Sequence, residues 1–154
     1  MDRSSALFPP VRVMAEKTLL ACKKAGLDVY IPETGLVRTE KDQIRIYGEE
    51  KFTLHYLGLA VDIQPHLKCK MSEFKARFNG WPMWDKVQKD YAVDAGFDPP
   101  TSWQLQRDRP HLQCLFGIPE DTLRYMYYAT KNIPGNIATI GNYILLHNHN
   151  KGAI

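Results

Sequence analysis

Apolar residues recur along this chain with two periods, and the changes between them mark its elements. After Pro9-Pro10, the residues Val11, Met14, Leu19, Ala21 and Cys22 fall on one stripe of a helix that Gly26 can cap. Asp28-Val29-Tyr30-Ile31 reads as a strand stopped by Pro32. Thr39 can N-cap a second helix, with Asp42 in a capping-box-like position and Ile44, Ile46 and Tyr47 within it. From Leu57 to Gln64 the period becomes two. Leu59, Val61 and Ile63 face one way, and Gly58, Ala60, Asp62 and Gln64 the other, until Pro65. Ser72 can cap a short helix, and Pro82 can open another that runs to about Ala95. Residues 96–109 are loop-like. His111 to Phe116 alternates again, with His111, Gln113 and Leu115 on one face. The pattern then predicts helices over Glu120–Lys131 and Asn136–Leu146.

Few strands interspersed with many helices predict an α+β fold with a small, largely antiparallel sheet flanked by helices. The 154 residues suggest a single domain, with 117–154 a C-terminal helical extension packed on it. No repeat and no long linker divides the chain.

Composition adds mainly exclusions. The net charge of +3 is mild and its basic residues form no stripe, which argues against nucleic acid as a partner. No run approaches a transmembrane helix, and Met1-Asp2-Arg3-Ser4-Ser5-Ala6 has no apolar signal region, so neither membrane insertion nor a signal peptide is expected. Cys22, Cys69 and Cys114 lack the number and spacing of a disulfide framework or a thiolate zinc site. Cys69, between Lys68 and Lys70, could favour a thiolate, but nothing supplies a partnering histidine. Cys22 and Cys114 read as core. Tryptophans 81, 84 and 103 are expected in the core more than in a groove wall, and some of Tyr125, Tyr127 and Tyr128 against the sheet. His66 reads as an ordinary turn residue, and His147-Asn148-His149 as a solvated tail.

The chemistry lies in two segments. His55 and Asp62 are an odd number of residues apart, so they cannot share a strand face. If Asp62 projects from the strand, His55 comes from the loop before it, and the small residues Gly58 and Ala60 leave a hollow beside the aspartate. Asp108-Arg109-Pro110-His111 adds a second histidine at the start of a strand, with a carboxylate three residues earlier. Two histidines and one carboxylate can hold zinc with a position left for water, and a further carboxylate can take that water's proton.

The segments T-L-H-Y-L-G-L-A-V-D (53–62) and D-R-P-H (108–111), with Arg38, Gln43 and Tyr47 upstream, resemble the motifs of a peptidoglycan peptidase family. It comprises zinc D-alanyl-D-alanine carboxypeptidases and L-alanyl-D-glutamate endopeptidases, phage endolysins among them. The resemblance covers about residues 10–116. It implies a hedgehog/D,D-peptidase-like fold, zinc ligands at His55, Asp62 and His111, a catalytic base at Asp108, and Arg38 facing a peptidoglycan stem peptide. Three features depart from the family pattern. Thr53 replaces a serine, residues 97–107 lack the usual tryptophan- and glycine-rich approach, and the base is Asp rather than the Glu of the dipeptidase branch. The last points towards the endopeptidase and lysin branch. A carboxypeptidase or dipeptidase, and a non-catalytic zinc-binding recognition module, remain alternatives. The resemblance further implies a monomer made in the bacterial cytoplasm and released to the wall through a holin.

Overall fold

The structure is a computed structural model that describes residues 3–66, 83–101 and 109–150. It is α+β: among the described residues, five helices surround two small antiparallel ladders. Helix α1 (Pro9–Lys24) begins at the proline pair, where a missing N–H costs nothing. Its buried side is Val11, Ala15, Thr18 and Cys22. Helix α2 (Glu40–Tyr47) has the full capping box: Thr39 Oγ1 accepts from Asp42 N–H, and the Asp42 carboxylate accepts from Thr39 N–H. It buries Asp42 and Gln43 and leaves Ile44, Ile46 and Tyr47 exposed. Its inward side is polar because Arg3 meets Asp42 there at 2.9 Å.

The strand expected over 57–64 is broken up. Leu54–Leu57 is a 3-10 turn, β2 is only Ala60–Asp62, and Gln64–Pro65 forms β3 of the other ladder. Strand β1 (Val29–Tyr30) pairs antiparallel with β3, with Val29 opposite Pro65. Pro65 therefore belongs to a strand instead of ending one, as an edge position permits. Strand β4 (His111–Gln113) pairs antiparallel with β2, placing Asp62 opposite His111, Val61 opposite Leu112 and Ala60 opposite Gln113. It stops short of Phe116, whose φ of 53° turns the chain away.

Trp84–Lys86, Val87–Tyr91 and Ala92–Ala95 run on as one helix, α3, with a π-wound middle, and pack against α1. Helices α4 (Glu120–Thr130) and α5 (Asn136–Asn150) pack on each other. The core lies between α1, the β2–β4 ladder and these last helices. Leu59, Val61, Ile63, Leu123, Ile140 and Ile144 are almost wholly buried there. Each such side chain contributes about 1.5–3 kcal/mol relative to exposure. Cys22, Cys114 and Trp84 are buried as expected. The His147-Asn148-His149 segment is the last turn of α5, with Asn148 buried and donating to Ile144 O at 2.8 Å. No helix among the described residues is long and apolar enough to cross a membrane.

Candidate metal centre

The β2–β4 ladder gives one face to the core, through Val61 and Leu112, and brings Asp62 and His111 together on the other. Ile63 N–H donates to Pro110 O and Cys114 N–H to Leu59 O, which puts the hydrogen-bonded pairs at 63/110 and 59/114. Asp62 and His111 therefore form a non-hydrogen-bonded pair, the class whose side chains stand closer.

His55 arrives from the 3-10 turn. Thr53 caps that turn, its hydroxyl accepting from His55 N–H. Gly58 closes the turn at φ 68°, and a β-carbon there would lie 2.8 Å from Phe8 N. Gly58 is thus needed for a left-handed turn against the N-terminal segment. It does not floor a pocket, and Ala60 is fully buried. The hollow expected at these two small residues is absent. Gly35 is the small residue that matters: a β-carbon on it would lie 2.7 Å from Asp62 O.

The histidines are oriented from behind. His55 Nδ1 donates to Leu36 O at 2.8 Å. A carbonyl only accepts, so Nδ1 carries a proton and Nε2 faces Asp62. His111 is turned the other way: Nε2 donates to Gln113 Oε1 at 2.9 Å and Nδ1 faces Asp62. His55 Nε2 and His111 Nδ1 each stand 3.3 Å from the same carboxylate oxygen, Asp62 Oδ1. Asp62 Oδ2 accepts from Arg38 Nη2 at 2.5 Å, and Arg38 Nε donates to Thr34 O. Such outer partners, which fix tautomer and ring direction, are what metal-ligating side chains require.

His55, Asp62 and His111 offer ligand atoms within 4.8 Å of one another, a group that could hold a metal ion. His55 Nε2 and Asp62 Oδ1 are buried without a hydrogen bond. Facing lone pairs at this range repel unless positive charge lies between them, as protons on both rings or as one metal ion. Tetrahedral ligands with zinc bonds of about 2.0–2.1 Å stand about 3.3–3.4 Å apart, which matches both N···O separations. Burial pushes the Asp62 carboxyl up, but the facing imidazoles, His55 foremost, outweigh this and hold it well below the usual carboxylate range.

The trio opens on a cavity of about 680 Å³, whose lining includes Arg38, Lys51, Phe52 and Glu120. That volume suits a small ligand or a peptide segment. Helix α4 braces its wall through Phe52. Tyr128 and Tyr56 hydroxyls both donate to Glu50, at 2.7 and 3.1 Å, and Tyr127 donates to Glu40 at 2.9 Å. Phe52 packs among these three tyrosine rings.

The structure thus brings together His55, Asp62, His111 and Arg38 of the residues singled out from sequence. Asp108 lies outside the described residues, as do Ser72, Cys69, Trp81 and Trp103. Reading the motifs alone missed the outer partners Leu36, Thr34 and Gln113. Only Gln113 had a visible signal, its shared strand face with His111. Comparison of the chain with protein-family models, curated proteins and solved structures finds no match.

Proposed function

We propose that the chain is a zinc-dependent peptidoglycan peptidase that cleaves the stem peptide, as an endolysin-type L-alanyl-D-glutamate endopeptidase. The observation that carries the reading is the convergence of His55 Nε2, His111 Nδ1 and Asp62 Oδ1 beside a peptide-sized cavity, each held from behind. Zinc bound there would polarise a scissile carbonyl and lower the pKa of a water. Asp108, three residues before His111, takes the proton of the attacking water and returns it to the leaving amine. Arg38 holds Asp62 in place at the cavity edge, where it also meets the substrate. The protein works as a monomer on the wall after release from the bacterial cytoplasm through a holin.

The test is mass spectrometry of purified peptidoglycan digested with the protein, with and without chelator. The expected products carry new L-alanine carboxyl and D-glutamate amino ends, and none form in chelator. Release of terminal D-alanine alone would replace the endopeptidase with a carboxypeptidase, and no cleavage with zinc bound would leave a binding module. Asp108→Ala should abolish cleavage while zinc content stays at the wild-type level.

A further inference from the structure

Strand β4 reaches His111 through Arg109-Pro110. Pro110 has no N–H, and its carbonyl accepts from Ile63 N–H on the β2 side. By strand alternation the carbonyls of Arg109 and His111 point to the opposite edge, where no strand pairs among the described residues. The Gln88 carboxamide covers this edge: its Nε2 donates to Arg109 O and, at 3.5 Å, to His111 O. Gln88 is 1% exposed and lies in the π-wound middle of α3. Such bulges re-aim side chains and often accompany functional sites. Asp98 continues the cover. Its N–H donates to Gln113 O at 2.9 Å and its Oδ2 accepts from Leu115 N–H at 2.7 Å.

We propose that Gln88 is a positioning residue of the metal centre: one buried carboxamide grips the carbonyls on both sides of Pro110 and so sets where His111 Nδ1 stands against Asp62. The inference rests on the reading of His55, Asp62 and His111 as a metal site, and it adds a residue that acts through the backbone carbonyls of Arg109 and His111. Without Gln88 the strand carbonyls on both sides of Pro110 lose this donor.

The test is Gln88→Met, close in size and without a donor. Its zinc affinity is measured by competition with a chromophoric chelator, beside urea unfolding of the metal-free protein. The zinc Kd is expected to rise about 10-fold or more, within the usual range for outer partners of a metal ligand. A Kd within twofold of wild type overturns the proposal, even if the urea midpoint falls, because that pattern marks a merely structural role. If the variant does not fold, nitrogen-15 NMR of the wild type decides. The Gln88 side-chain amide protons should exchange slowly and shift when zinc is added; exchange at the rate of an exposed glutamine overturns the proposal. Wild-type protein that takes up no zinc would instead overturn the metal reading itself, a result distinct from equal binding by both proteins.

Discussion

The Arg38–Asp62 pair permits a quantitative test in metal-free protein. The two side chains are 7% and 14% exposed and meet at 2.5 Å. Removing one partner of a buried pair typically costs about 3–5 kcal/mol, because the other charge stays buried without compensation. Here the penalty is smaller. Arg38 keeps Thr34 O, and Asp62 keeps two imidazoles beside Oδ1. Asp62→Asn and Arg38→Met should therefore each destabilise the metal-free protein by about 2–3 kcal/mol, a drop of roughly 5–10 °C in Tm for a chain of this size. The double variant removes both charges and should cost well below the sum, with a coupling of about 2 kcal/mol. Urea unfolding in chelator, with all four proteins in one buffer, measures it. Additive losses, with a coupling under about 0.5 kcal/mol, would refute the pairing on which the orientation of Asp62 depends.

Two further outcomes follow from local geometry. Gly35→Ala puts a β-carbon 2.7 Å from Asp62 O, and backbone there cannot yield cheaply. A loss of about 1–3 kcal/mol in urea unfolding is expected, and wild-type stability would contradict the close approach. Asp42 is held down to about 2 by the Thr39 backbone N–H, against burial and with help from Arg3. A depressed carboxyl stabilises fully above its unfolded pKa, near 4, and loses that contribution as pH falls towards 2. Acid titration of Asp42→Asn should thus give a flatter stability curve between about pH 4 and pH 2, and an unchanged slope would exclude the capping box as its source.

The sequence carried those features that rest on local chemistry. Thr39 and Asp42 announce the capping box because both partners lie within one turn. The helices over 9–24, 120–130 and 136–150 follow from their apolar stripes. The odd spacing of His55 and Asp62 separated a turn residue from a strand residue, and the structure places them so. What the pattern hid depends on tertiary contact. Alternation over 57–64 looked like one strand, but Gly58 turns left-handed against Phe8, and Ile63 separates two short ladders. Ile44 and Ile46 lie in the helix that the pattern predicts, yet they are exposed because α2 turns its polar side inward to Arg3. Gln88 and Leu36 act on the histidines across 23 and 19 residues, a relation that no periodicity encodes.

The most direct test of the account is the zinc carried per chain after dialysis against the metal and removal of excess, read by inductively coupled plasma mass spectrometry. Wild-type protein should hold one zinc ion per chain, and His55→Ala and His111→Ala should hold almost none while keeping wild-type circular dichroism. Metal-free wild type, or folded variants that retain the ion, would contradict the assignment of His55, Asp62 and His111 as its ligands.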